Sequence, residues 1–398
     1  MKFFSYYMGE ELESLFYQPP QPFTKHSDRE LLSYGLGATL YMPATRKNIH
    51  QEILSKKHAG LTSIVLDLED AVGDRQVETA EAAVIAELKM LQQEIEKQYI
   101  DLEDLPLLFI RIRSFEQFCR IKERLEESVH VLTGVVIPKF SANEGKAILE
   151  EASVISTDEH PFYAMPILES AKVMYQETRM SELLGIKKIV DQYRENILNV
   201  RIGATDFSGI YGLRRSADLT AYDIAVLRDC IADIINVFQR VESPYVISGP
   251  VWEYFSGNER WLKPQLRQTL FRDHFGERGL KWRADLIDRN LDGLIREVLM
   301  DIANGLIGKT IIHPSHIKVV QALHVVSFEE YMDALSIIES ATGEGGVAKS
   351  SFSNKMNEMK PHLYWAQRII QKSNVYGVLH EKYTNIDLLQ KEVLVSNP

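Results

Sequence analysis

Residues 162–209, FYAMPILESAKVMYQETRMSELLGIKKIVDQYRENILNVRIGATDFSG, show the pattern from which the fold class follows. An apolar run at 162–168 leads into a longer stretch of helical character, and a second apolar run follows at 199–203. Each run is followed within a few residues by an acid, Glu169 after the first and Asp206 after the second. A strand, a helix and another strand in this order are typical of a parallel βαβ unit.

The same alternation of short apolar runs and longer amphipathic stretches begins at residue 38. The eight candidate strands are Ala38–Met42, Ser63–Leu68, Leu107–Ile112, Gly134–Ile137, Phe162–Leu168, Asn199–Gly203, Tyr245–Ile247 and Thr310–Ile312. Val77–Lys97 and Ala221–Arg240 are examples of the helices expected between them. Eight such units predict an α/β protein with a (β/α)8 TIM barrel, which we place at residues 38–325.

Other parts of the chain do not follow this alternation. Residues 1–37, interrupted by PPQP at 19–22, predict an arm that packs on the barrel. Residues 253–281 predict a long βα loop over the active-site face. Residues 326–398 predict a C-terminal helical extension, whose end is either a frayed tail or a segment docked on a neighbouring subunit.

Composition narrows the class of protein. The 398 residues carry a net charge of -11, which argues against non-specific binding to nucleic acid or to an anionic membrane surface. Only two cysteines occur, Cys119 and Cys230, a usage typical of a reducing compartment. No apolar run approaches the ~20 residues that span a bilayer. We therefore expect a cytoplasmic enzyme with no membrane segment.

Charged residues and a histidine follow several candidate strands. They are Asp67, Glu69, Asp70, Arg111, Arg113, Lys139, Glu169, Asp206 and His313. In a barrel, catalytic groups gather at these carboxyl ends. Each residue alone has a simpler interpretation: an acid can cap a helix or face solvent, Lys139 can line a rim, and His313 can be structural. The cluster favours function, because burying many charges is costly unless they pair or bind a cation.

Two acids from adjacent strands, Glu169 and Asp206, suit a hard cation. Carboxylate ligands without a His or Cys cluster favour Mg²⁺, or Mn²⁺ as the alternative, over zinc. Arg111 would clamp a substrate carboxylate in bidentate fashion. A metal that polarises the carbonyl of a 2-oxo acid stabilises an enolate, which is the requirement for aldol or Claisen cleavage.

Seven ordered segments resemble a known family across residues 38–340. They are LYMPATR (40–46), IVLDLEDAVGD (64–74), FIRIRS (109–114), GVVIPKF (134–140), MPILES (165–170), RIGATDFSG (201–209) and GKTIIHPSHI (308–317). The chain resembles the citrate lyase β-subunit-like family of the HpcH/HpaI aldolase and malyl-CoA lyase group. Its nearest resemblance is to a divergent branch of barrel C–C lyases that is often found with bacterial stress and tellurite-resistance gene clusters.

The resemblance implies a Mg²⁺-dependent lyase with the metal on Glu169 and Asp206. It assigns substrate carboxylate or carbonyl oxygens to Arg111. Related enzymes act on thioesters of coenzyme A or of an acyl carrier protein and often form trimers or hexamers. The resemblance therefore implies a homo-oligomer and a small carboxylate or acyl-thioester substrate.

The same resemblance assigns proton handling to the DLED motif of the second strand. Glu69 would orient a water on the metal, and Asp67 or Asp70 would shuttle protons through it.

Departures from the family pattern affect two basic residues, Arg46 and Arg113. PATR replaces the usual Pro-Gly before the arginine, and Arg113 stands where relatives have Asn. We expect Arg46, Arg113 and Lys139 to contribute to substrate binding, although the role of Arg46 toward a cofactor phosphate is open.

Two other functions stay open. A phosphoenolpyruvate-type barrel would bring Arg113, Lys139 and the basic 253–281 stretch to a phosphate. A barrel without turnover would serve as a scaffold or sensor in a stress complex, but converging strand-end carboxylates argue against this hypothesis.

Overall fold

The computed structural model describes residues 1–255, 289–340, 347–349, 352 and 356–390. Most of the predicted 253–281 loop and residues 391–398 therefore lie outside the described residues. The strands within the described ranges are β1 (Phe16–Gln18), β2 (Ala38–Pro43), β3 (Ser63–Asp67), β4 (Leu107–Arg111), β5 (Gly134–Ile137), β6 (Tyr163–Leu168), β7 (Val200–Ile202), β8 (Ile247–Ser248), β9 (Lys309–Ile311), β10 (Val347–Lys349), β11 (Met356–Glu358) and β12 (Val378–Leu379).

Helices occupy most of the connections between these strands. They are α1 (Glu10–Leu15), α2 (Arg29–Gly35), α3 (Ile49–Leu54), α4 (Val77–Glu96), α5 (Phe115–Leu125), α6 (Ala142–Ile155), α7 (Ala171–Met174), α8 (Gln176–Gln192), α9 (Ala204–Ile210), α10 (Ala225–Phe238), α11 (Arg289–Ala303), α12 (His316–His324), α13 (Phe328–Ser340), α14 (Met359–Tyr376) and α15 (Asn385–Gln390). Short 3-10 helices lie at Asp74–Gln76, Leu102–Asp104, Glu126–Val131, Arg194–Asn196 and Ala221–Asp223.

Eight parallel strands form the central sheet in the order β8-β7-β6-β5-β4-β3-β2-β9. The two end strands meet through a parallel bridge between Gly249 and Lys309. The Gly249 N–H also donates to the Gly308 carbonyl at 3.0 Å, which closes the sheet into a barrel. The prediction of a (β/α)8 barrel is confirmed, and the eight strands fall within a few residues of the predicted runs.

Alternate residues along the barrel strands face opposite sides, as the period of two requires. One buried cluster contains Tyr41, Val65, Phe109, Val136 and Met165, one residue from each of five consecutive strands. Their sequence neighbours belong to a second buried cluster that includes the apolar faces of the surrounding helices. The apolar runs of the sequence are therefore buried on both faces, as expected for a parallel sheet covered by helices.

The N-terminal arm and the C-terminal extension meet on one side of the barrel. Strand β1 pairs antiparallel with β12, and the ring of Phe3 stacks on that of Tyr376 with centroids 4.7 Å apart. Leu388, in α15, is fully buried against this cluster, and Asn385 Nδ2 donates to the Ala322 carbonyl at 2.7 Å. Residues 385–390 therefore pack on their own chain. Their docking on a neighbouring subunit, and the predicted trimer or hexamer, stay predictions.

A buried cluster of ion pairs and hydrogen bonds includes Lys309 of β9. Its other members are Arg215, Tyr222, Glu297 and Asp301. Lys309 Nζ contacts Glu297 Oε1 at 2.9 Å and Asp301 Oδ2 at 2.7 Å. Arg215 pairs with the same glutamate, and the Tyr222 hydroxyl donates to Asp301 Oδ1 at 2.8 Å. These charges stay buried because each has a partner of opposite charge or a hydrogen bond.

No helix in the described part of the chain is both long enough and apolar enough to cross a membrane. The cytoplasmic location stays a prediction.

Candidate functional site

A cavity of about 420 Å³ opens at the carboxyl ends of the barrel strands. The charged side chains in its lining are Asp67, Asp70, Arg111, Glu169, Arg201, Asp206 and Glu253. These residues follow or belong to β3, β4, β6, β7 and β8, so the barrel brings together side chains that are as much as 186 positions apart in the sequence. Six of the seven lie in or close to segments quoted for the family resemblance, and Glu253 lies beyond β8.

Glu169 and Asp206 form a carboxyl pair inside this cavity. Glu169 directly follows β6 and is only 3% exposed, while Asp206 lies in the first turn of α9 and is hydrogen-bonded to Glu169. Burial, reinforced by the negative charge of Asp206, raises the pKa of Glu169 to about 8. Burial also raises the pKa of Asp206. Two carboxyl groups in contact, of which Glu169 is buried and Asp206 partly exposed, hold a proton between them unless a cation compensates their charge.

The backbone on each side of Glu169 is shaped to admit its carboxylate. Glu169 Oε1 accepts a 2.8 Å hydrogen bond from the backbone N–H of Lys139. Lys139 has a φ of 46°, a left-handed conformation that costs a non-glycine residue roughly 1–2 kcal/mol. On the other side, a Cβ at Gly203 would lie 2.1 Å from Glu169 Oε2. A residue larger than glycine at position 203 would therefore displace the carboxylate.

Arg111 and Asp67 form a buried bidentate ion pair next to the carboxyl pair. Arg111 Nε lies 2.6 Å from Asp67 Oδ1, and Nη2 lies 2.5 Å from Oδ2. The same carboxylate accepts the backbone N–H groups of Glu69 and Ala71, at 3.0 and 3.2 Å. Burial lowers the pKa of Arg111, but its hydrogen bond and ion pair with Asp67 outweigh this effect and raise it. Asp67 therefore fixes the position of a permanently charged guanidinium.

Asp70 lies in the cavity lining, whereas Glu69 and Lys139 lie outside it and contact its charged residues. Arg111 Nη1 contacts Glu69 Oε2 and Asp70 Oδ2, each at 3.1 Å. Lys139 Nζ lies 2.5 Å from Glu69 Oε1 and 3.7 Å from Asp206 Oδ1. Burial raises the pKa of Glu69, whereas hydrogen bonding to Glu69 and the charge of Arg111 outweigh burial at Asp70 and lower its pKa. The two neighbouring acids thus differ in their tendency to hold a proton.

The acidic side chains of the cavity can be compared with the ligands that a metal ion requires. Within the described residues, no group of three or more His, Cys, Asp or Glu side chains is arranged to hold a metal. A pair of carboxylates, Glu169 and Asp206, suits Mg²⁺, which keeps several waters and needs only one or two protein carboxylates. Burial and the negative charge of Asp206 raise the pKa of Glu169, and a divalent cation bound there would favour the ionised carboxylate. The residues present therefore fit Mg²⁺.

Arg113, predicted to bind substrate, lies outside the cavity lining. Its Nε donates to the Leu68 carbonyl at 2.7 Å, and Nη2 donates to the carbonyls of Glu69 and Val72. Nη1 pairs with Asp74 at 2.7 Å. This guanidinium therefore holds the loop after β3 in place.

Arg46 and His313 also lie outside the cavity lining. Arg46 Nη2 pairs with Glu52 at 2.7 Å on the outside of the barrel. The ring of His313 stacks on Phe255 at 4.5 Å, and its Nδ1 shares a 2.8 Å hydrogen bond with the Ser315 hydroxyl. Their positions lend no support to a substrate role for Arg46 and favour a structural interpretation of His313.

Arg201 and Tyr41 are cavity residues that the sequence analysis did not select. The Tyr41 ring lies between two guanidinium groups, 5.3 Å from that of Arg111 and 5.7 Å from that of Arg201. An arginine between the apolar residues Val200 and Ile202 is a detectable signal, because a strand buried on both faces rarely carries an unpaired charge.

A second cavity, of about 280 Å³, lies beneath the N-terminal arm. Glu52, Lys56 and His58 belong to its lining, and none of the predicted site residues does. Glu52 is already paired with Arg46 and Lys57, and these pairs lower its pKa to about 2 despite its partial burial. The cavity at the strand ends is therefore the better candidate for chemistry.

A family model described as C–C bond lyases of the TIM-barrel fold matches residues 30–378. CitE from Mycobacterium tuberculosis, solved in complex with magnesium, acetoacetate and coenzyme A, is 18% identical with a TM-score of 0.50, and the match covers 86% of this chain and 99% of that one. RipC from Yersinia pestis is 16% identical with a TM-score of 0.45, and the match covers 73% and 95% of the two chains.

Malate synthase from Haloferax volcanii, solved as a magnesium and glyoxylate complex, is 13% identical with a TM-score of 0.46, and the match covers 71% and 73% of the two chains. No curated protein sequence matches this chain. At 18% identity the likeness to CitE shows the fold alone, whereas the family match extends over the whole barrel and parts of both flanking regions. The chain therefore belongs to the family of C–C bond lyases of the TIM-barrel fold.

Proposed function

We propose that this protein is a Mg²⁺-dependent carbon–carbon lyase that acts on a small 2-oxo or β-hydroxy acid, either free or as an acyl thioester. The observation that carries the proposal is the contact between the buried Glu169 and Asp206 in the same cavity as Arg111. Membership of the family supports the reaction class. The metal and the substrate class are inferred from the chemistry of the side chains.

Each cavity residue has a distinct part in this proposal. Glu169 and Asp206 would hold the cation, and Arg111 would orient a substrate oxygen with the Nη1 atom that faces Asp70. When bound, Mg²⁺ would polarise the carbonyl next to the breaking bond and stabilise the enolate that cleavage produces. A proton must then be delivered to, or removed from, the carbon skeleton.

Glu69 is the carboxyl group best suited to move that proton. Burial raises its pKa, and Lys139 and Arg111 hold both of its oxygens in position. Asp67 has a different part, because it forms the bidentate pair that orients Arg111 and accepts two backbone N–H groups of the loop after β3. We therefore keep Glu69, with Asp70 as its neighbour, as the proton-transfer group and assign Asp67 to positioning.

A metal titration tests the proposal directly. Isothermal calorimetry with Mn²⁺ and Mg²⁺ on wild type, Glu169→Gln and Asp206→Asn should show one site per chain that both substitutions weaken by about tenfold or more. Asp229→Asn removes an exposed carboxylate paired with Arg228 and serves as the matched control. Equal metal affinity in all four proteins would remove the metal site and, with it, the proposed mechanism.

The phosphoenolpyruvate-type alternative gains no support from the described residues. It required Arg113 and Lys139 to meet a phosphate, but Arg113 holds the loop after β3 and Lys139 pairs with Glu69. The remaining element of that hypothesis, the 253–281 stretch, lies almost entirely outside the described residues. The scaffold alternative offers no reason for a contact between two carboxyl groups, one of them buried, at the strand ends of the barrel.

A further inference from the structure

Arg201 is a buried cation at the floor of the site cavity. It lies in the middle of β7, is 1% exposed, and belongs to the cavity lining. Its side chain crosses the barrel interior to strands β2 and β9, where Nη2 donates to Thr310 Oγ1 at 2.7 Å and Nη1 to Thr39 Oγ1 at 3.5 Å. Three strands therefore fix its position.

Arg201 lacks the anionic partner that a buried guanidinium normally has. Among the described residues, none forms an ion pair with it, whereas Arg111 in the same cavity has Asp67. Its Nε–H is buried and makes no hydrogen bond. Burial lowers the pKa of Arg201, and the charge and hydrogen bond of Tyr41 oppose this effect only in part. A buried donor left without an acceptor is costly, so an anion supplied from the cavity would relieve this cost.

The chemistry of the cavity favours a carboxylate as that anion. A guanidinium presents donors in a planar fork that matches a carboxylate. Five carboxyl groups already line the cavity, so a singly charged anion is tolerated better than a phosphate dianion. The proposed function already places one carboxylate or carbonyl group of the substrate at the metal. The anion at Arg201 is therefore a second group on the same molecule.

We propose that Arg201 binds the second carboxylate of a dicarboxylic 2-oxo acid, and so selects dicarboxylic over monocarboxylic substrates. This inference rests on the proposed function for the orientation of the substrate. The selection itself comes from Arg201 and requires only that the two classes of acid reach the same cavity.

The experiment compares 2-oxo acids of equal chain length that differ in one terminal group. The pairs are oxaloacetate with 2-oxobutyrate and 2-oxoglutarate with 2-oxopentanoate, titrated by calorimetry at saturating Mg²⁺. Wild type should prefer the dicarboxylic member of at least one pair by about tenfold or more, the effect expected of a charge-assisted bidentate contact. Arg201→Met should reduce the preference to about one. Arg228→Met removes an exposed arginine and should leave it unchanged.

The thermal midpoint of each protein without ligand separates binding from a structural role. Because wild type buries an unpaired charge, Arg201→Met should unfold at the same or a higher temperature. If that variant does not fold, Arg201→Lys, which loses the Nε–H and the planar fork, should show the same loss of preference.

Three results would overturn the inference: an unchanged preference in the Arg201 variants, no binding of either acid to wild type, or Arg201-dependent binding of phosphoenolpyruvate in place of the dicarboxylates. Failure of the proposed function is seen separately, as metal affinity that does not depend on Glu169.

Discussion

Substituting Gly203 by alanine should remove metal binding while leaving the barrel folded. The new methyl group would lie 2.1 Å from Glu169 Oε2 and 2.4 Å from Glu169 Cβ. Non-bonded carbon atoms reach their optimal separation only at about 3.5–4.0 Å, so the glutamate side chain must withdraw by more than about 1 Å. The backbone N–H of Lys139 holds the other carboxylate oxygen, and this hydrogen bond must stretch or break.

This geometry allows the loss of folding stability and the loss of metal affinity to be estimated. Forcing a methyl group into a filled site costs about 1–3 kcal/mol of folding stability, which a barrel of this size tolerates. Displacing one ligand of a two-carboxylate site by about 1 Å should weaken metal binding by about 10- to 100-fold, the range known for residues that orient metal ligands. The expected result is a folded protein with little affinity for Mn²⁺.

Gly209→Ala is the matched control. Gly209 lies six positions further along the chain, in α9, and a Cβ there would meet no atom within 4 Å. Alanine is favoured over glycine in a helix by about 1 kcal/mol, so this variant should be as stable as wild type and bind metal normally. Calorimetric titration with Mn²⁺ and thermal unfolding should be run on all three proteins. Metal affinity of Gly203→Ala within about threefold of wild type would refute the reasoning.

Further predictions concern pH, the buried ion cluster and the Arg111 position. The pKa of Glu169 is raised from 4.5 to about 8, so between these pH values the folded chain holds a proton that the unfolded chain has lost. The free energy of unfolding should therefore fall as pH rises from 4.5 to 8. Mn²⁺ affinity, titrated at several pH values, should rise over the same range by up to about tenfold per pH unit. Lys309→Met leaves the buried Asp301 without a cation and Glu297 with Arg215 alone, and it should cost about 3–5 kcal/mol in denaturant unfolding. Asp67→Asn should weaken pyruvate binding by about tenfold and metal binding little, as calorimetry would show, because Arg111 loses its bidentate partner.

The fold and the carboxyl pair follow from the sequence for a geometric reason. Parallel strands joined by helices bring all their carboxyl ends to one face, so an acid after β6 and an acid after β7 must be neighbours. Their distance in the sequence is irrelevant once the topology is fixed. The order of the strands was thus sufficient to predict that Glu169 and Asp206 approach each other, although it carried no information on their protonation.

The position of Arg113 could not be predicted in the same way. A period of two places Arg111 and Arg113 on one face only if the strand continues through both residues. The strand β4 ends at Arg111, and beyond it the chain turns. Three backbone carbonyls of the loop after β3 then capture the Arg113 guanidinium. The exact end of a strand therefore decided which arginine enters the cavity, and strand ends are poorly determined by sequence patterns.

Arg201 illustrates a different limit of sequence reasoning. Its hydrogen-bond partners, Thr39 and Thr310, are 162 and 109 positions away along the chain. A buried arginine in a strand is detectable from its neighbours, but whether it finds an anion depends on every residue that the closed barrel brings near it. The missing counter-charge is a property of the assembled interior, so it became visible only with the structure.

The charge of the cavity also sets the order in which ligands can enter it. Five carboxyl groups and two guanidinium groups line the cavity, and one of the guanidiniums, Arg111, is already neutralised by Asp67. An anionic substrate that arrived first would meet a net negative field, which Glu169 and Asp206 dominate on the metal side. A divalent cation held by Glu169 and Asp206 reduces that repulsion and leaves Asp70, Glu253 and Arg201 as the charged lining groups outside the Arg111–Asp67 pair. Under the proposed function, the cation therefore precedes the acid, and the affinity for the acid depends on the affinity for the metal.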